Sequence, residues 1–145
     1  MTSPASTGGS GALFEAQVGA AYLLSMLLGV DARGLPDCRI SSIALQRGQE
    51  GYPLDDIVVY GEDRNGRPAT LEIQVKRSIT FAPSDKVFQD VVKQIKRVMD
   101  DPAFWESHHH LAVALARTTQ KIEAACQDVL NWAETSRMPR PFTRG

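Results

Sequence analysis

Two β-branched segments joined by a short polar turn constrain this chain most strongly. Residues 57–60 (Ile-Val-Val-Tyr) and 69–75 (Ala-Thr-Leu-Glu-Ile-Gln-Val) are rich in side chains that favour strands. The connecting segment 61–66 ends in an Asn-Gly pair, which is a strong signal for a hairpin turn. The sequence therefore predicts two adjacent antiparallel strands in the middle of the chain.

Helical and strand patterns on either side of this hairpin predict an α/β fold. Apolar residues recur at helical spacing over 12–28, and Gly29 stands where a helix C-cap belongs. The other elements are expected as a strand at 39–45, a helix opened by 83–85 and ending near 100, a strand at 111–115 and a helix at 119–134. The predicted order is αβββαβα, with a mixed central sheet flanked by helices.

The length and composition are those of one domain with less ordered ends. The chain has 145 residues and 43% apolar content, which is enough for one hydrophobic core. Residues 1–11 are dominated by Ser, Thr, Gly, Ala and Pro, which predicts a flexible leader. Residues 137–145 contain two prolines and are typical of a linker to a further part of a longer polypeptide, which leaves 12–136 as the domain.

Charge and cysteine usage restrict the classes of function. The formal net charge of -1 does not indicate nucleic-acid binding. The charge is uneven along the chain, because acidic residues dominate 55–62 and basic residues follow the hairpin. The two cysteines have no CxxC spacing, so neither a zinc site nor a disulfide framework is indicated. The longest apolar run, near 20–30, is too short to span a bilayer. We therefore expect a soluble, cytoplasmic protein without membrane contact.

A row of polar side chains on the second strand of the hairpin predicts a site. Side chains alternate along a strand, so Glu72, Gln74 and Lys76 share one face. The neighbouring strand begins directly after Asp55 and Asp56, and hairpin pairing brings Asp56 toward Gln74 and Lys76. A carboxylate, an amide and an ammonium are thus expected close together.

These groups match the needs of metal-dependent phosphodiester hydrolysis. Mg²⁺ and Mn²⁺ prefer oxygen ligands, and a nearby cation stabilises the charge that develops on the phosphate. We assign Asp56, the Gln74 side-chain oxygen and the Val75 carbonyl as metal ligands. Lys76 is expected to position the attacking water and stabilise charge. Glu15, on the first helix, is expected to complete the metal shell or orient a water.

Two other interpretations fit the same residues. In the first, the pair Asp55-Asp56 forms a turn, and Glu72, Gln74 and Lys76 are the solvated face of an edge strand. In the second, the chain is an unrelated α/β domain for protein contacts, which predicts no dependence on metal ions.

The basic, histidine and aromatic residues after the hairpin have both binding and structural interpretations. Of the three histidines at 108–110, at most His108 and His110 can share a ligand, and we expect a solvated loop end. Phe104 and Trp105 are expected in the core. A charged outer helix face is one interpretation of the basic residues, and phosphate contact is the other. The candidate DNA contacts are Arg77, Lys86, Lys93, Lys96 and Arg97.

Three segments of the chain, in this order, resemble the PD-(D/E)xK nuclease superfamily. They are Phe-Glu-Ala-Gln at 14–17, Asp-Asp-Ile-Val-Val at 55–59 and Leu-Glu-Ile-Gln-Val-Lys-Arg-Ser at 71–78. More narrowly, the chain resembles the double-stranded DNA endonuclease domain at the N-terminus of bacterial antiphage effectors, in CBASS systems and antiviral STAND NTPases. The resemblance implies a restriction-endonuclease-like core that cuts duplex DNA when a fused or associated sensor or NTPase module assembles it into homo-oligomers.

The resemblance also carries over residue by residue. The family's helical glutamate matches Glu15, its metal-binding aspartate matches Asp56 with Asp55 as an auxiliary candidate, and its (D/E)xK element matches 74–76.

Gln74 departs from the family pattern because it stands in place of the acid. Relatives in the Mrr-like branch share this variant. The missing negative charge is expected to loosen the metal site, and Glu72 is the auxiliary residue that compensates. The alternative is a catalytically inactive module of the same fold that binds DNA or mediates assembly.

Overall fold

The computed structural model describes residues 5–45, 56–117 and 124. Three sequence predictions therefore lie outside the described residues. They are the role of Asp55, the linker at 137–145 and the helix at 119–134, of which only Ala124 is described, as helical.

The described residues form an α/β fold, which confirms the predicted class. The elements are α1 (Ala5–Leu28), β1 (Asp31–Ala32), β2 (Leu35–Leu45), β3 (Ile57–Asp63), β4 (Pro68–Lys76), α2 (Lys86–Met99), α3 (Pro102–Glu106) and β5 (His109–Leu115). Two short elements, β1 and α3, are additions to the predicted order. With 2 and 5 residues respectively, neither is long enough to show a periodic apolar pattern.

The five strands form one mixed sheet in the order β1-β2-β3-β4-β5. Neighbouring strands from β1 to β4 are antiparallel, whereas β4 and β5 are parallel and connected through α2 and α3. The predicted hairpin is β3 and β4, with Ile57 opposite Ile73. Strand β4 therefore has a hydrogen-bonded neighbour on each side.

Helix α1 begins earlier than the sequence predicted and ends where it predicted. It starts at Ala5, so most of the segment expected to be a flexible leader is helical. Extending an existing helix costs less than nucleating one, and the apolar segment after residue 11 supplies the nucleus. Gly29 has φ 66°, its N–H donates to the Met26 carbonyl, and the Val30 N–H donates to the Ser25 carbonyl. This pair of bonds is a Schellman motif.

The main core lies between α1 and one face of the sheet. The α1 residues packed against it are Phe14, Val18, Tyr22 and Met26. From β4 the core takes Leu71, Ile73 and Val75, and alternation along the strand turns Glu72, Gln74 and Lys76 to the opposite face. The side chains of Glu72, Gln74 and Lys76 therefore take no part in the core beneath α1.

The expectation that no segment is long enough to span a bilayer is wrong. Within α1, Gly11–Leu28 is long and apolar enough by length and composition, because this stretch carries only Glu15 as a charged residue. Leu13, Leu27 and Leu28 on this helix are exposed. Core helices and signal sequences share this composition, so the finding assigns no location.

Helices α2 and α3 follow one another and each begins at an aspartate cap. The Asp85 carboxylate accepts from the Phe88 N–H at 2.7 Å, as the predicted helix start requires, and the Asp101 carboxylate accepts from the Ala103 N–H at 2.9 Å. Trp105, expected in the core, is instead 66% exposed. The five-residue α3 cannot bury both of its aromatic side chains, and the Trp105 indole N–H donates to the Met99 carbonyl.

Candidate active site

Asp56 and Gln74 meet where β3 begins. One carboxylate oxygen of Asp56, Oδ2, accepts from Gln74 Nε2 at 2.6 Å and from the Val75 backbone N–H at 2.7 Å. The β3–β4 register explains the contact, because Ile57 pairs with Ile73 and the next position along places Asp56 opposite Gln74. The predicted approach of Asp56 to Gln74 is therefore observed, and the approach of Lys76 to Asp56 stays a prediction.

The Gln74 side chain has one satisfied and one unsatisfied end. An ionised carboxylate only accepts hydrogen bonds, so the amide nitrogen of Gln74 must face Asp56. The amide oxygen, Oε1, is then turned elsewhere, and it is buried with no hydrogen-bond partner among the described residues, in a side chain only 3% exposed. An unsatisfied buried acceptor costs about 1–3 kcal/mol. Such an atom is where a cation or a donor group of a ligand is expected to bind.

Glu72 forms a second buried polar contact on the same face of β4. It is 1% exposed, and its Oε2 lies 2.6 Å from Nε2 of His109 on β5. The parallel pairing of Thr70 with His109 and Glu72 with Leu111 brings the two side chains together. The other oxygen of Glu72, Oε1, is buried and has no hydrogen-bond partner in the part of the chain that the structure describes. The site thus has two buried acceptors without donors.

His109 is a functional candidate that sequence reasoning missed. The segment 108–110 was expected to be a solvated loop end, but β5 begins at His109, whose side chain is only 18% exposed. The strand pairing starts this early because the Thr70 N–H donates to the His108 carbonyl. A histidine two positions before Leu111 shares its strand face. This spacing predicts a contact between His109 and Glu72 only when β5 is known to pair with β4.

His108 and His110 form a ring contact with each other and take no part in the contact between Glu72 and His109. The rings of His108 and His110 are 5.0 Å apart between centroids, as their shared strand face predicts. Burial lowers the pKa of His110, and the nearby His108 and His109 lower it further. A neutral His110 is therefore favoured at neutral pH.

The interpretation of 72–76 as a solvated edge-strand face is wrong. Strand β4 lies between β3 and β5, and both Glu72 and Gln74 are buried. Buried polar side chains are costly to keep in a strand unless they bind something or are fully satisfied. Their burial favours a site over a surface pattern.

Lys76 ends β4 on the same face as Gln74. It is half-buried, and within the described parts of the chain its ammonium forms neither a hydrogen bond nor an ion pair. A half-buried ammonium without a fixed partner is able to approach an anionic ligand.

Glu15 is half-buried on α1 and makes contacts of its own. Gly19, one turn later, lies against Leu45 and Ile57 side chains, so α1 crosses the sheet where β2 ends and β3 begins. Asp56 immediately precedes Ile57. A role for Glu15 beside Asp56 stays a prediction.

The oxygen donors near Asp56 suit a hard cation such as Mg²⁺ or Mn²⁺ better than a metal ion held by Cys and His side chains. Among residues 5–45 and 56–117, no group of three or more His, Cys, Asp and Glu side chains is arranged to share a metal. The available donors are the Asp56 carboxylate, the unpartnered Gln74 Oε1 and the Val75 carbonyl. In a strand the N–H and C=O of one residue face the same side, so the Val75 carbonyl faces Asp56 as its N–H does. Carboxylate, amide and carbonyl oxygens are ligands of Mg²⁺ and Mn²⁺.

The candidate DNA contacts lie away from the buried polar residues Glu72 and Gln74. Arg77 follows β4, and the others are exposed on α2. Spacings of seven and four residues put Lys86, Lys93 and Arg97 on one side of α2, away from the buried Val91 and Val98. Lys96 pairs with Asp100 at 2.5 Å in an exposed contact, which contributes little to stability.

Comparison with known proteins identifies no relative: no protein-family model, no curated protein and no solved structure matches this chain.

Proposed function

We propose that this chain is a metal-dependent endonuclease domain that hydrolyses phosphodiester bonds of double-stranded DNA. The observation that carries the proposal is the contact between Asp56 and Gln74, whose amide oxygen Oε1 is buried and has no hydrogen-bond partner within residues 5–45 and 56–117. Lys76 ends the same strand face. A carboxylate, an amide oxygen and an ammonium in this order suit metal-assisted attack of water on a phosphate.

The chain's own residues have distinct roles in this proposal. Asp56, Gln74 through Oε1 and Val75 through its carbonyl would hold Mg²⁺ or Mn²⁺, with Glu15 as a further ligand. The bound ion supplies Lewis-acid activation of water and neutralises phosphate charge. Lys76 orients the attacking water and stabilises the negative charge that develops on the phosphate oxygens. The Val75 N–H fixes the Asp56 carboxylate in place through its hydrogen bond.

DNA binding in this proposal depends on several copies of the domain. The formal net charge is -1, so one copy gains little from attraction to phosphates. The basic residues named above provide a local phosphate-binding face, and linking copies raises their effective concentration on one duplex. The weak attraction of one copy suits activation by assembly into homo-oligomers, and the family resemblance extends the proposal to a cytoplasmic antiphage effector that a fused or associated sensor or NTPase module assembles.

A second candidate is a catalytically inactive module of the same fold that binds DNA or mediates assembly. The observation that favours it is the same short hydrogen bond. The Gln74 amide donates a hydrogen bond to Asp56 Oδ2, so this carboxylate oxygen has a partner without a metal ion. A glutamine also contributes less negative charge to a metal site than an acid does.

A plasmid cleavage assay on the full-length assembled polypeptide separates the two candidates. Wild type with Mg²⁺ is expected to cut, and Lys76→Ala is expected to reduce the single-turnover rate by about 10²–10³-fold. Arg64→Ala is the matched control, because it removes a positive charge from an exposed ion pair with Asp37 at the β3–β4 turn, the opposite end of β4 from Lys76, and it leaves the rate unchanged. Equal cleavage by Lys76→Ala and wild type removes Lys76 from the mechanism. Duplex binding without cleavage in any variant favours the inactive module.

A further inference from the structure

We infer that Glu72 is a second carboxylate ligand of the metal site and that His109 is the residue that positions it. The inference rests on the proposed function. It assigns to Glu72 the negative charge that Gln74 does not supply, and it adds a β5 residue to a site whose observed contact, between Asp56 and Gln74, joins the start of β3 to β4.

The first step concerns the burial of Glu72. At 1% exposure its carboxylate has lost almost all contact with water, which is costly unless opposing groups compensate. His109 supplies one such group, at 2.6 Å from Oε2. The contact satisfies only half of the carboxylate, since Oε1 is buried without a partner. A residue with a purely structural role is expected to satisfy both oxygens.

The second step concerns the relation of Glu72 to Gln74. The two residues are neighbours on one face of β4, with Cα atoms about 7 Å apart by the rise of a strand. Each has a buried Oε1 atom without a donor. Two acceptors on one face cannot satisfy each other, whereas a cation or its bound water satisfies both. A hard divalent cation is the ligand that such oxygens favour.

The third step concerns how His109 fixes the carboxylate. A carboxylate that binds a metal is usually held by a hydrogen bond from another side chain, which sets the direction of the free oxygen. His109 holds Oε2 from the β5 side, and its ring packs against Phe104 at 5.3 Å between centroids. With Oε2 held in this way, Oε1 is the oxygen left to bind. His109 acts through Glu72 and does not itself contact the metal.

Titration calorimetry with Mn²⁺ on the full-length protein tests this inference. Glu72→Gln keeps the shape and a hydrogen-bond acceptor for His109 but removes the charge, and we expect it to weaken Mn²⁺ binding about 10–100-fold. His109→Ala is expected to weaken binding by about 10-fold at least. His109→Gln is expected to restore most of it, because its amide N–H can donate to Glu72. His108→Ala, an exposed neighbour, is the control and leaves the affinity unchanged.

The outcomes distinguish this inference from the proposed function. If Glu72→Gln and His109→Ala bind Mn²⁺ as wild type does while Asp56→Asn does not, the inference is overturned and the proposed metal site stands. If Asp56→Asn also binds as wild type does, the proposed metal site fails as well. Failure of His109→Gln to rescue binding, in a protein that melts as wild type does, overturns the positioning role. If His109→Ala does not fold, Glu72→Gln against wild type decides the ligand role.

Discussion

Gln74 and Asp56 are joined across the β3–β4 pair by a 2.6 Å hydrogen bond in which the amide donates and the carboxylate accepts. An acid at position 74 could not make this bond while both groups are ionised, because two carboxylates at this distance repel each other. The glutamine therefore stabilises the site when no metal is bound. In the proposed metal site, a glutamine at position 74 supplies one negative charge less than an acid would.

The first prediction concerns the effect of an acid at position 74 on stability and on metal binding. Gln74→Glu is expected to lower the melting temperature in EDTA, because it replaces a charge-assisted hydrogen bond of about 1.5–3 kcal/mol with repulsion. Mn²⁺ is expected to raise the melting temperature of Gln74→Glu more than that of wild type, because the site then has one more ligand charge. Thermal unfolding monitored by circular dichroism, with EDTA and with Mn²⁺, measures both effects.

Gln89→Glu is the matched control for this prediction. It introduces the same charge at an exposed position of α2, where the native amide donates to the Pro83 carbonyl. Its response to Mn²⁺ is expected to equal that of wild type. A Gln74→Glu protein that melts as wild type does in EDTA contradicts the stabilising role of the Asp56–Gln74 bond.

The contact between Asp56 and Gln74 could be predicted from sequence because it is local. The two residues flank one hairpin, and the register of a hairpin follows from its turn and its alternating pattern. The contact between Glu72 and His109 could not be predicted in this way. It depends on the parallel pairing of β4 with β5, and a parallel pair connected through helices carries no turn signal that sets its register.

Other differences between sequence and structure have similar physical causes. The sequence allowed two interpretations of 72–76, a site or a solvated face, because alternation of polar and apolar residues does not show whether a strand lies at an edge or inside a sheet. The helical start at Ala5 was missed because the Gly- and Ser-rich composition has low helix propensity, which the adjacent apolar helix overrides. Local sequence patterns predicted where helices and strands lie, whereas the burial of each side chain depends on which strands and helices lie next to it in the fold.

The second prediction concerns the outer face of α2. Lys86, Lys93 and Arg97 share one exposed side of the helix, so replacing any of them with alanine is expected to weaken binding to every duplex sequence similarly. Each lost phosphate contact is expected to reduce the slope of log affinity against log salt by about 0.9. Fluorescence anisotropy with a labelled duplex over a salt series measures the slope.

Lys96→Ala is the internal comparison for this face. The Lys96 ammonium already pairs with Asp100 on α2, so its removal is expected to change DNA affinity less than removal of Lys93. If the three alanine variants keep the wild-type salt slope, α2 does not contact the DNA backbone.

The third prediction concerns the turn between β3 and β4 and its dependence on pH. The Asp63 carboxylate accepts from the backbone N–H groups of Asn65 and Arg67 at 2.8 and 2.9 Å. These bonds, that of Arg67 foremost, lower the pKa of Asp63, and the nearby charges of Arg67 and His108 act in the same direction. A carboxyl with a lowered pKa in the folded state stabilises the fold when ionised.

The sign of the pH effect follows directly. The contribution of Asp63 is complete at neutral pH, where the group is ionised in both states, and it is lost as the pH falls through the lowered pKa. Asp63→Ala is therefore expected to melt below wild type at pH 7, with a difference that shrinks under acid conditions. Asp63→Asn keeps an acceptor oxygen without the charge, so its deficit is expected to be smaller at pH 7. Melting temperatures for the three proteins between pH 7 and pH 3 provide the test, and parallel profiles for Asp63→Ala and wild type contradict a role for the ionised side chain in holding the hairpin that brings Asp56 to Gln74.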